Sequence, residues 1–382
     1  MVAPESRDAG VRYFFAISFI MSAISSILIP VMPIYAGDIG ATPFVLGLIG
    51  SVPAVTYAAF TILLGGLWDR LAKKTPIIAF YLLYASVCLL FSFTVAPLQI
   101  VILKVLEGFS WSLFWPPVEI LIAERTTASD KMVSNFGISW SSGGALGVFL
   151  SGFALELNRP KDIFRLVSFS SLVLALTSFL LVKERRIEKV ELGKRKKANP
   201  GMTKILLMHK EAWLAAVIYS FGQNIVFALF PDYAYKIKSI PGLMIGLYIS
   251  LLIAGRTLAF WIFGKIHIKN ISSIGAALVS LGSLPMAFTT SVPMLAVGFF
   301  SLGLGAGFLY SDSFKKAMTA DADKRGLYAG IFEGSIGVGS LSPVVAGALA
   351  EQFLNGPYIL SSVGTASAFL WFTLHPSQEK NR

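Results

Sequence analysis

Four ionisable side chains stand inside otherwise apolar runs: Lys104, Glu107, Arg256 and Glu333. Charges in apolar surroundings are costly, and they mark binding or proton-transfer sites. Lys104 and Glu107 are three residues apart, so on a helix they share a face and can pair. Trp111 and Trp115 continue that face at helical spacing, with Gly108 beside them. Charge followed by aromatic rings is what a cavity wall needs, since ligand sites combine apolar surface with a few polar groups. Gln223 and Asn224 add hydrogen-bonding groups, with Tyr219 one turn before Gln223. Arg256 needs a partner, and Glu333 or a substrate anion is expected to supply it. A buried carboxyl near a cation is the chemistry of proton coupling. Glu107 with Lys104, and Glu333 with or without Arg256, fit that description. Glu119 and Glu124 are expected at the membrane surface near Arg125, and Asp312 at a helix end.

Bond-making chemistry has no comparable constellation. The sequence holds no Gly-Lys-Ser/Thr phosphate loop, no G-x-S-x-G elbow and no metal-ligand spacing. Cys88 is the single cysteine and lies in an apolar run. No enzyme activity, cofactor or metal is therefore expected. One further charged stretch stands out. From Gly65 to Lys74 the chain reads Gly-Gly-Leu-Trp-Asp-Arg-Leu-Ala-Lys-Lys. It is a short polar turn between two long apolar runs.

The elements that carry these residues follow from composition. The chain has 382 residues, 55% hydrophobic and 14% charged, with mean hydropathy +0.71. Soluble domains carry about 25% charged residues, so the membrane is the solvent that fits. A membrane span needs roughly 20 apolar residues. Twelve such runs are legible: 12–36, 43–67, 76–96, 98–121, 135–157, 162–182, 213–233, 242–263, 271–290, 292–312, 326–350 and 356–375. They lack period-two alternation, so they read as helices rather than barrel strands. Pro116-Pro117 predicts a kink at the inner end of the fourth.

The net charge is +11, which in a membrane protein reflects basic cytoplasmic loops rather than nucleic-acid binding. With the N-terminus inside, the inner segments hold 25 Lys and Arg and the outer loops 5. This places both termini in the cytoplasm, with no removable signal peptide expected. The basic stretch 183–212 reads as a solvated linker beside anionic lipid. It divides the chain into a six-helix bundle over 1–182 and a second over 213–382.

The two halves repeat each other. Pro33-Ile-Tyr-Ala36 matches Pro231-Asp-Tyr-Ala234, and Leu46-Gly-Leu-Ile-Gly-Ser51 matches Ile245-Gly-Leu-Tyr-Ile-Ser250, at offsets of 198 and 199 residues. Gly108 matches Gly303, and Ser151-Gly152 with Glu156 matches Ala346-Gly347 with Glu351, at an offset of 195. Two repeated halves of the same orientation are a transporter architecture, with the substrate between them near mid-membrane.

On these residues the chain resembles the major facilitator superfamily over nearly its whole length. The turn matches the family pattern of Gly, three residues, Asp, a basic residue and two further basic residues, through Gly65, Asp69, Arg70, Lys73 and Lys74, with Ala72 in place of a Gly. Lys104, Glu107 and Gly108 stand where the family has Arg-x-x-Gln-Gly. Gly143, Gly147, Ser151 and Gly152 follow the Gly-rich helix-packing motif of its antiporters, with Val148 in place of Pro. The resemblance implies an all-α polytopic membrane protein with twelve transmembrane helices in two pseudo-symmetric six-helix bundles. It implies a secondary transporter of a small organic molecule, working by alternating access in the plasma membrane. Proton-coupled efflux of drugs or metabolites is the preferred reading. Proton-linked uptake of a sugar or other metabolite, and an uncoupled carrier, remain open. The expected partners are the substrate, membrane lipid and a coupling proton, in a monomer that binds no nucleic acid. Asp69 is expected near Leu327 to Gly330 at the start of span eleven, latching the cytoplasmic side.

Overall fold

The computed structural model describes residues 4–68, 74–125, 130–157, 159–181, 202–320 and 325–375. Among them every regular element is helical. The first crossing is built from α1 (Pro4–Ser26) and α2 (Leu28–Asp38), and the next two from α3 (Pro43–Trp68) and α4 (Lys74–Phe91). The fourth is split into α5 (Pro97–Ser112) and α6 (Trp115–Arg125); α7 (Asp130–Glu156) and α8 (Pro160–Leu181) complete the first half. A short α9 (Met202–Met208) lies inside the predicted linker. The second half holds α10 (Lys210–Asp232), α11 (Gly242–Phe263), α12 (Ile271–Phe288) and α13 (Val292–Thr319). Its eleventh crossing is split into α14 (Arg325–Gly339) and α15 (Ser342–Ala350), and α16 (Gly356–Leu374) is the last.

Among the described residues, eleven segments are long and apolar enough to cross a membrane. The predicted twelfth, α16, has the length but carries Ser361, Ser362 and Thr365. These hydroxyls are buried, and Ser361 and Ser362 pair with Ser283 and Ser280 of α12 at 2.8 and 3.3 Å. Hydroxyls bonded to a neighbouring helix do not face lipid, so they lower hydropathy without opposing insertion. Several predicted spans are shorter than the helices observed. Span five begins at Asp130, span ten runs on to Thr319, and span seven ends in a π-helical turn over Tyr233–Ile237. Span four breaks at Leu113-Phe114, just ahead of the two prolines. Span eleven breaks at Ser340-Leu341, just ahead of Pro343. A proline ring clashes with the preceding turn and offers no donor, which accounts for both positions.

We call the face at which α3 and α8 end the linker face, and the opposite one the far face. Within the first half α1 packs on α7, α3 on α5 and α4 on α8. Within the second, α13 packs on α11 and α12, and α12 on α16. Between halves, α7 packs on α11, and α3 on α14 and α15. The repeat is carried by backbone contacts. Gly108 of α5 lies against the Pro53 carbonyl of α3, and Gly303 of α13 against the Leu252 carbonyl of α11. Pro53 and Leu252 are 199 residues apart, the repeat's own offset. Neither glycine has room for a Cβ. Small residues allow this approach, and close backbone packing is what holds helices together in lipid. Large apolar side chains such as Leu63, Phe169, Leu180, Leu281 and Val297 remain exposed around the outside, the belt expected of a lipid-facing surface.

Candidate functional site

Lys104 and Glu107 form an ion pair of 2.6 Å on α5, with an angle that falls short of a directed hydrogen bond. The ammonium also lies 5.5 Å from the centre of the Phe91 ring, an additional electrostatic support for a buried cation. The pair opens on a cavity of about 180 Å³. Its other walls come from Ser25, Leu28 and Met32 of the first crossing, Gly50 and Pro53 of α3, and Asn224 and Phe227 of α10. The cavity therefore lies between the halves. Asn224 is fixed there by donating to the Ser340 hydroxyl at 2.6 Å, in the break between α14 and α15.

Trp111 and Trp115 do not join that wall. Trp111 turns toward α4, with Phe80 at 4.9 Å and Tyr84 at 5.2 Å. The break after Ser112 re-aims Trp115, which stacks on Trp111 at 5.9 Å and reaches Trp140 of α7 at 6.1 Å. The break resets the helical count for Trp115, whereas Trp111, still on α5, takes the side that packs on α4. Together they form an aromatic column toward the linker face.

Arg256, on α11, lies at a second level. Its Nε donates to Ser141 of α7 at 3.0 Å, and Nη1 donates to Gln223 of α10 at 3.1 Å. The guanidinium sits 4.3 Å from the centre of the Trp140 ring. Thr257 donates to the same Ser141 hydroxyl at 2.8 Å. The expected carboxylate partner is not the one observed. Neutral hydrogen-bonding groups and an aromatic face hold the cation, and two of them, Trp140 and Ser141, come from the opposite half. Tyr310 packs against this group, with Trp140 at 5.5 Å and Tyr219 at 5.1 Å.

Glu333 of α14 meets a different partner. It faces Glu119 of α6 and the Tyr57 hydroxyl of α3, within side-chain hydrogen-bonding reach. Glu119 and Glu333 are each 6% exposed. Glu119 Oε2 and the Tyr57 hydroxyl make no fully formed hydrogen bond. Two carboxylate oxygens are both acceptors, and only a proton between them makes a bond. The end of the fourth apolar run at 121 places Glu119 at the membrane surface. The helix α6 instead runs on to Arg125, and Glu119 is buried within it. Asp312 is likewise inside α13 rather than at its end, accepting from Ser272 at 2.5 Å and pairing with Lys316 at 2.8 Å.

Helix pairs, an inter-half cavity and buried charges at two depths describe a transporter fold. The Major Facilitator Superfamily profile matches residues 14–318. The chain belongs to the major facilitator superfamily. Among the superfamily's members, the quinolone resistance protein NorA of Staphylococcus aureus is 23% identical over 375 residues, 93% of each chain. The multi-drug resistance efflux pump PmrA of Streptococcus pneumoniae is 26% identical over 173 residues, 44% of this chain and 43% of that one. Two solved superfamily structures share the fold. The nucleoside transporter NupG has TM-score 0.75 at 15% identity, covering 95% of this chain and 98% of that one. The human organic anion transporter MFSD10 has TM-score 0.71 at 15% identity, covering 97% and 99%.

Of the superfamily turn, Asp69, Arg70 and Lys73 lie outside the described residues, and Gly65 is within α3. Lys74 donates to the Phe179 carbonyl at 2.8 Å. That contact ties α4 to α8 inside the first half. In the Gly-rich motif, Gly143 and Gly147 lie against the Phe19 and Ala23 carbonyls of α1, and Gly152 lies against Leu243 at the start of α11. Ser151 donates to the Val148 carbonyl of its own turn at 2.5 Å.

Proposed function

We propose that this chain is a proton-coupled exporter of small, largely apolar organic molecules, with the linker face and both termini in the cytoplasm. The halves 1–182 and 213–382 move against each other about the central cavity. The observation that carries the reading is the contact between Glu119 of one half and Glu333 of the other. Two ionised carboxylates about 4 Å apart repel by roughly 4 kcal/mol at an effective dielectric near 20. That is close to a thousandfold in a two-state equilibrium. A proton on the pair removes the repulsion and supplies a hydrogen bond, so the linker face closes with a proton aboard. Release of the proton favours parting of the two halves on that face. Coupling arises because closure and proton binding stabilise each other.

The outward direction is supported by the relatives that act in quinolone resistance and multidrug efflux. Substrate class is supported by the cavity. Its wall is mainly apolar, and its one charged feature, Lys104 with Glu107, is balanced. A substrate of single net charge would pair with one member and strand the other, at a cost of about 3–5 kcal/mol. Neutral or dipolar molecules avoid that cost.

The test uses purified protein in proteoliposomes, with ethidium and a fluoroquinolone as probes. A pH gradient is expected to drive accumulation by the wild type. Glu119→Gln and Glu333→Gln are expected to abolish gradient-driven accumulation while probe exchange at equal pH persists. Accumulation at wild-type rates in the double variant would remove the pair from coupling. Identical transport with and without the gradient would mark an uncoupled carrier.

A further inference from the structure

Two of the contacts that close the far face repeat each other. Glu156, the last residue of α7, accepts the Leu243 N–H in the first turn of α11 at 3.0 Å. Glu351, at the end of α15, accepts the Phe44 N–H in the first turn of α3 at 3.3 Å. Glu156 and Glu351 are 195 residues apart, and Phe44 and Leu243 are 199 apart, the same offsets as the internal repeat. Each contact crosses from one half to the other. Each acid sits at the carboxyl end of its own helix, where a negative charge is disfavoured. Its own helix therefore gives no reason for it. The partner helix does, because the free N–H groups of a helix start attract a carboxylate. Beneath the acids the backbones touch. Gly47 lies against the Pro343 carbonyl, and Gly246 lies against Gly152 and the Val148 carbonyl.

We propose that Glu156 and Glu351 are matched clasps that hold the far face shut and so set which side of the transport site is open. They position the halves and do not touch substrate. The proposal rests on the transporter reading only in requiring that the two faces alternate; it is independent of Glu119 and Glu333. Both clasps are solvent-exposed, and contacts of this kind shift an equilibrium about three- to tenfold each. Two of them bias the closed state without locking it, as a gate requires.

The test needs no substrate. In a Cys88→Ser background, single reporters Ser25→Cys, lining the cavity, and Ser134→Cys, buried on the linker-side third of α7, are labelled with a maleimide in nanodiscs. Glu156→Ala and Glu351→Ala are each expected to raise labelling at position 25 about three- to tenfold, and the two together by the product. Labelling at position 134 should fall, because the population moves away from the state open at the linker face. Glu156→Gln, which still accepts the N–H, should lie between wild type and Glu156→Ala. Unchanged labelling at position 25 in the double variant overturns the proposal. A rise at both reporters also overturns it, since it marks general loosening. Proton-coupled transport can fail its own test without altering either result.

Discussion

Lys104 and Glu107 illustrate how a buried pair is worth less than either of its halves is costly to lose. Removing one partner from a buried ion pair destabilises by about 3–5 kcal/mol, while replacing both is close to neutral. Lys104→Met and Glu107→Gln should therefore each lower the thermal unfolding midpoint, and the double variant should recover most of the loss. A double variant no more stable than the singles would mean that the two charges do not compensate each other. The same rule explains why Arg256 is assembled as it is. With no carboxylate beside it, the guanidinium takes two neutral acceptors and an aromatic face, contributed by α7 and α10. Nothing in the sequence singles out Ser141 or Trp140 for that role. Neutral polar residues carry no charge signature, and apolar helices are full of serines. Glu119 and Glu333 differ: both were visible as charges, and what was hidden was the burial of Glu119 and their meeting.

At the scale of elements, what was legible was length, apolar character and proline. Twelve helices with a disrupted fourth follow from residue type alone, because a span must satisfy its own backbone. What was not legible was the consequence of the break for the side chains beyond it. Trp115 was assigned to a face by counting along a continuous helix, and the interruption at Leu113-Phe114 resets that count. Cross-half contacts were also out of reach, and the repeat offset matched glycine to glycine only within each half. Gly108 and Gly303 make equivalent contacts, so they should fail equivalently. Gly108→Leu and Gly303→Leu would each push a side chain into a carbonyl of the neighbouring helix. Each should reduce the yield of monodisperse protein on size-exclusion chromatography by several-fold, whereas Gly330→Ala, with open space around it, should not. Tolerance of leucine at either position would contradict the backbone contact.

The whole molecule is two copies of one plan that have to recognise each other. Chains 1–182 and 202–382, expressed together as separate polypeptides, are expected to assemble in the membrane and co-purify, since the contacts between halves do not need the linker. Failure of the separate halves to associate would make the linker a structural requirement. Correct pairing has a chemical basis at the far face. Asp38 ends α2, and Lys236 lies in the turn after α10, with Lys236 Nζ 3.5 Å from Asp38 and 3.0 Å from Asp232. Asp38 and Lys236 are 198 residues apart, so they occupy the same place in the repeat. They meet because that place lies on the axis relating the halves. In an assembly of two identical halves, whatever residue stood there would face its own copy. Like charges would repel, and attraction between opposite charges would be unavailable at any sequence. In a single chain the two copies of that position can differ, and here they are an acid and a base. The outcome is a polarity of partnership: first half accepts second, and two first halves would set Asp38 against Asp38.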